Sequence, residues 1–100
     1  MSKVSFKELI NQETPVLIDF HATWCGPCHT QAPILDTLKK QLGDKVQIYK
    51  IDVDKNPQVA QMYQVMSIPT LILFKGGEQK WRKTGVAMLP ELQAIVTANQ

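Results

Sequence analysis

Two cysteines separated by two residues are the part of this 100-residue chain best suited to chemistry. They stand in Trp24-Cys25-Gly26-Pro27-Cys28, where a short apolar run gives way to helical spacing. At the start of a helix the first amides lack intrahelical partners and the dipole is positive. A cysteine there is favoured as the thiolate. Cys28, three residues on, falls on the same side of the first turn. Two thiols held this way can close and reopen a disulfide without unfolding their surroundings. Gly26 permits close approach, and Pro27 lacks an amide that the first turn does not use. As a structural staple the pair would do little, because the loop it closes is tiny.

Two other chemistries compete for these residues. His21 and His29 complete a His-x3-Cys-x2-Cys-His set, and zinc usually takes four ligands. Adjacent Cys28 and His29 diverge by about 100° on a helix, which opposes that reading. Cys25 to His29 also spells C-x-x-C-H, the haem-attachment pattern. That pattern calls for an oxidising export compartment and a mostly helical wrap. The strand-helix-strand setting favours a redox pair over both.

Such a pair needs a strand to deliver it and a helix to hold it. Residues 5–12 carry Phe6, Leu9 and Ile10 at helical spacing behind a Ser5 cap with Glu8 three residues later, and Pro15 ends that helix. Residues 15–20 form a nearly continuous apolar run, a strand buried on both faces. Residues 28–42 place Ala32, Leu35, Leu38 and Leu42 on one helical face, with Gly43 as the stop and Pro33 as a kink. Residues 45–53 alternate, Val46 and Ile48 against Tyr49, Ile51 and Val53, as a second strand does. Asn56-Pro57 opens a short helix through Tyr63. Residues 70–74 form a third strand, residues 75–78 a hairpin turn, and residues 79–84 a polar edge strand. Residues 88–99 end the chain as an amphipathic helix. This order predicts an α/β fold, a mixed central sheet with helices on both faces.

Composition excludes several function classes. Hydrophobic residues at 44% and charged residues at 20% are ordinary for one folded domain, here residues 1–100. Eleven Lys+Arg against nine Asp+Glu leave a net charge of +2, and apart from Lys39-Lys40 and Arg82-Lys83 the basic residues are dispersed. Nucleic acid is therefore not an expected partner. No apolar run approaches the roughly 18 residues of a membrane span. The N-terminus, MSKVSFKELI, lacks an apolar stretch with a cleavage site, so a cytoplasmic location is expected.

Val16 to Phe20, Ala22, the cysteine motif, Pro33, Lys50, Asp52, Asn56-Pro57, Ile68-Pro69-Thr70, Phe74-Lys75-Gly76-Gly77 and Gly85 together resemble the thioredoxin family, from about Phe6 to the end of the chain. Three departures stand out. Only residues 1–4 remain for the family's first strand, which is thus short or missing. His21 stands where the family usually has Trp, and His29 where Lys is common. The resemblance implies a thioredoxin fold and a monomer that reduces protein disulfides, cycling Cys25 and Cys28 between dithiol and disulfide. It binds no cofactor or metal itself. An NADPH-dependent flavoprotein, thioredoxin reductase, recharges it, and disulfide-containing proteins are its clients. The alternatives are a disulfide-forming or isomerising relative and a thioredoxin-fold binding module.

It also implies roles for single residues. Asp19 is the buried acid beneath the cysteines, exchanging a proton with Cys28, although a strand-end Asp can instead face solvent. Lys50 is its partner, although a Lys in that place ordinarily points into water. The Ile68-Pro69 bond is cis against a trans base rate, with the proline ring over the sulfurs and the Ile68 backbone open to a client chain. Trp24, Gly26, Pro27, Val53, Ile68, Pro69, Thr84 and Gly85 form the docking surface.

Overall fold

The structure is a computed structural model and describes residues 5–100. The short or missing N-terminal strand falls on residues 1–4, outside the described residues. The remaining elements follow in the expected order: α1 (Phe6–Ile10), β1 (Val16–His21), α2 (Gly26–Leu42), a 3-10 turn (Gly43–Lys45), β2 (Gln47–Asp52), α3 (Pro57–Met62), β3 (Thr70–Lys75), β4 (Glu78–Thr84) and α4 (Leu89–Ala98).

Among the described residues the sheet has four strands in the order β2-β1-β3-β4. β1 runs parallel to β2 and antiparallel to β3, and β3 is antiparallel to β4. β1 has a strand on each side and helices over both faces, and the second accounts for its continuous apolar run: Val16, Leu17, Ile18 and Phe20 are fully buried. β4, at the edge, is polar. Its turn uses Gly76 and Gly77 at φ 61° and 82°, the left-handed backbone that a two-residue hairpin demands.

Alternation along β1 divides the core. Leu17 faces Leu35 and Leu38 of α2 and Leu92 and Val96 of α4, together with Leu71, Leu73 and Val46. Ile18 and Phe20 face α1 and α3, where Phe6 lies 5.2 Å from Tyr63 and 5.9 Å from Phe74 between ring centroids. Each such side chain contributes about 1.5–3 kcal/mol when fully buried. The alternation read in residues 45–53 is kept, with Val46 and Ile48 on the first side and Tyr49, Ile51 and Val53 on the second.

Several local expectations change. α1 stops at Ile10, not Gln12, because the carbonyls of Ile10 and Gln12 accept hydrogen bonds from Gly77 N and Gly76 N of the distant hairpin, at 3.1 and 2.8 Å. Asn56 takes the N-cap position of α3, but its side chain accepts no amide; it donates back to the Asp52 carbonyl. α2 begins at Gly26, not Cys28, and runs for 17 residues with Pro33 inside it. Gln31, inside α2, is fully buried. Its amide donates to the Ala87 carbonyl at 3.0 Å and accepts from Ala87 N at 2.7 Å. That exchange satisfies a backbone segment with no strand to pair with. No helix among the described residues is long and apolar enough to cross a membrane.

Candidate active site

β1 ends at His21, and α2 begins at Gly26 with Cys25 as its N-cap. The extended backbone of Cys25 turns its side chain back over the first turn, so that Sγ accepts the Cys28 amide at 3.2 Å. A cap normally uses a Ser, Thr, Asp or Asn oxygen. Here sulfur takes that place, and the same bond favours the sulfur when it is anionic. Pro27 lies in the first turn, as expected. Gly26 is not required by crowding within the chain, because a β-carbon there would meet no atom within 4 Å. Cys25 and Cys28 are bridged, with their Cα atoms 5.3 Å apart.

Exposure does not distinguish the two cysteines. Cys25 is 4% exposed and Cys28 6%, both packed with Ala22, Val53 and Ile68. Their neighbours do distinguish them. Cys25 Sγ lies 3.7 Å from the carbonyl oxygen of Ile68, just before a cis Ile68-Pro69 bond. The Pro69 carbonyl in turn accepts from Gly85 N at 2.8 Å, which holds Gly85, at φ 97°, beside it. Thr84 pairs with Thr70 at the end of the β3–β4 ladder.

On this side Trp24, Val53 and Ile68 line a surface groove of about 310 Å³ together with Val65, Met66 and Ser67. Trp24 is 70% exposed, so it is not a core residue, and its indole N–H donates to Asp54 Oδ2 at 2.7 Å. Asp52 Oδ1 accepts the amides of Asp54 and Lys55, which sets the turn that presents Asp54. Asp54, Val65, Met66 and Ser67 are not among the docking residues expected from the sequence. Their one signal was an apolar pair, Val65-Met66, directly before Ser67-Ile68-Pro69 and outside any periodic element. Pro69, which is buried, and Gly26, Pro27, Thr84 and Gly85 do not line this groove.

Cys28 opens on the other side, into a cavity of about 210 Å³ lined by Asp19, His21, Ala22, Thr23, His29, Ala32 and Lys50 as well. Asp19 is buried at 2% exposure, and its Oδ1 has no hydrogen-bond partner among the described residues. Burial pushes its carboxyl above the ordinary carboxylate range, while the charges of His21 and then Lys50 pull it partly back. Lys50 sits opposite Asp19 in the β1–β2 register but forms no ion pair with it. Its side chain stays exposed, where the ammonium keeps its hydration. The partnership expected of Lys50 is therefore not an ion pair. A larger concavity of about 610 Å³, lined by Phe6, Ile10, Met62 and Tyr63 among others, shares no residue with either face of the cysteine site.

His29 is exposed and donates its Nε2–H to the Thr23 carbonyl at 2.9 Å. The ring is tied to the loop and not aimed at Cys25 Sγ. Replacing it with alanine is therefore expected to move the Cys25–Cys28 potential by less than roughly 30 mV at pH 8, measured against glutathione. A larger shift would show that the loop contact tunes the pair.

Comparison with known proteins points one way. The family model described as Thioredoxin matches residues 1–98. A thioredoxin of Rickettsia typhi is 47% identical over 87 residues, covering 86% of this chain and 83% of that protein. Among solved structures, the thioredoxin of Malassezia sympodialis superposes with a TM-score of 0.84 at 38% identity, covering 94% of this chain and 84% of the other. Mitochondrial thioredoxin 3 of Saccharomyces cerevisiae, in its oxidised form, gives a TM-score of 0.83 at 35% identity, covering 93% and 86%.

Proposed function

The chain belongs to the thioredoxin family and is a thiol-disulfide oxidoreductase, and on that premise we propose that it works as a reductase of protein disulfides. The observation that carries this reading is the pair of unlike environments on either side of one Cys25–Cys28 bridge. An exposed apolar groove adjoins Cys25, and a buried acid shares a cavity with Cys28.

In the reduced protein the Cys25 thiolate attacks a client disulfide. One S–S bond forms to Cys25, the client's own S–S bond breaks, and one client sulfur leaves as a thiolate. Cys28 then gives its proton to Asp19 and attacks Cys25. The Cys25–Cys28 bond forms, the mixed disulfide breaks, and the second client sulfur leaves. The client has gained two electrons and the chain has lost them. Trp24, Val53, Ile68 and Pro69 support client docking, with Gly26, Pro27, Thr84 and Gly85 around them. Lys50 acts on Asp19 through its charge. Residues 1–100 act as one domain and as a monomer in the cytoplasm. A flavin- and NADPH-dependent thioredoxin reductase returns the two electrons.

Reduction of insulin, followed as NADPH oxidation in the presence of a thioredoxin reductase, tests the reading. Turnover that requires both proteins is expected. If insulin stays oxidised while the bridged protein introduces disulfides into a reduced client, the direction of transfer is reversed and the disulfide-forming alternative holds.

A further inference from the structure

Asp19 and His21 lie two residues apart on β1. Alternation puts both side chains on the same face of the sheet, about 6.6 Å apart along the strand. Both line the cavity that Cys28 enters, and Asp19 Oδ1 is buried there without a hydrogen bond. His21 is half-buried at the end of the strand, between Asp19 and the loop that leads to the cysteines. We infer that His21 is a positioning residue for the redox pair: its cationic form holds Asp19 as the carboxylate that takes the proton of Cys28. The inference rests on the role given to Asp19 above.

The other groups facing Asp19 do not do this work in the same way. Lys50, on β2, is exposed and carries its charge into water. On α2, His29 has its Nε2–H committed to Thr23, and Cys28 is itself the proton donor. β3 presents Leu71, an apolar residue, opposite Asp19. Of the two nearby charges that act on the Asp19 carboxyl, His21 has the larger effect. Histidine is also the side chain that ordinarily changes charge between pH 5 and 8. A lone buried carboxyl would hold its proton as pH falls and cease to be a base. Positive charge on the His21 ring opposes that loss, so His21 extends the working range toward acid. The proton passes from Cys28 Sγ to Asp19, and His21 changes only the balance at Asp19.

Two measurements on parent, His21→Gln and His21→Lys test this. The first is the titration of the Asp19 carboxyl carbon by NMR in ¹³C-labelled oxidised protein. The second is stopped-flow reaction of the reduced protein with an aryl disulfide, in which release of the second aryl thiolate reports attack by Cys28. His21→Gln is expected to raise the Asp19 midpoint and slow the second release roughly three- to tenfold at pH 6, with little change at pH 8.5. His21→Lys is expected to lower the midpoint and keep the parent rate at pH 6. Equal midpoints in all three proteins, or an equal slowing at both pH values, would overturn the inference, since a merely structural role gives that pattern. If Asp19→Asn leaves the second release unchanged, the base role of Asp19 fails, whereas the midpoints still decide whether His21 governs its charge.

Discussion

Cys28→Ser is expected to turn this protein from a catalyst into a trap, while Cys25→Ser abolishes reaction with client disulfides. The reason lies in what surrounds each sulfur, since both are nearly buried. Cys25 Sγ is the N-cap of α2 and accepts the Cys28 amide at 3.2 Å, an arrangement that favours a thiolate. It also adjoins Ile68 and the apolar groove that Trp24 and Met66 flank, where the proposed client chain would lie. A serine at position 25 offers a hydroxyl, which does not displace a thiolate near neutral pH. Turnover should fall below about one-thousandth of the parent. With Cys25 intact and serine at position 28, the first exchange proceeds and the second has no nucleophile. Mass spectrometry after mixing with a disulfide client should show one client mass on Cys28→Ser and none on Cys25→Ser. The opposite pattern would exchange the two roles and make the Asp19 cavity the entry side.

Asp19→Asn should slow the resolving step and stabilise the fold, two effects with one cause. A positioned general base ordinarily contributes 10²–10⁴-fold, but a thiol near its ordinary pKa of about 8.5 already ionises in part without help. A slowing of about tenfold at pH 7, shrinking as pH rises, is the expected result. Burial holds the Asp19 carboxyl above its ordinary value of 3.8. Between that value and the folded midpoint, the folded state keeps a proton that the unfolded chain has released. Stability therefore falls as pH rises through this interval, and the loss is complete above the folded midpoint. Asn carries no charge to desolvate. The variant should match its parent near pH 3.8 and exceed it at pH 7–8, where only the parent carries a desolvated charge. For a domain of this size each kcal/mol is about 4–8 °C in Tm. Thermal melts at pH 4 and pH 8 measure the difference. A gap that is equal at both, or that reverses, would show that Asp19 is not charged in the fold.

Both predictions rest on features that differ in how far the residues alone disclose them. The cysteine motif, the element order and the two-sided burial of β1 were legible because their causes are local. Spacing by two residues places Cys28 on the same side of a turn as Cys25, Gly76 and Gly77 fit a two-residue hairpin, and the run from Val16 to Phe20 is apolar without interruption. Resemblance supplied Asp19 and Pro69, whose types are unremarkable where they stand. Burial of Asp19 and the cis bond before Pro69 then agreed with it.

Other features depend on which distant segments meet. α1 ends where the hairpin takes its carbonyls, more than 60 residues later in the chain. Gln31 reads as an ordinary polar helix residue until Ala87, 56 residues away, is found to need both its amide groups. Met66 and Val65 line a groove because Trp24 is brought beside them, held by Asp54. Lys50 comes into register with Asp19 yet stays in water, since desolvating an ammonium costs more than a pair at that site returns. Periodicity and propensity act over one turn of helix or a few residues of strand, so they specify the elements and the motif between them. Packing, desolvation and backbone satisfaction act across the sheet, and they alone gave each sulfur its own surroundings: an apolar groove for Cys25, and a cavity with one unpaired acid for Cys28.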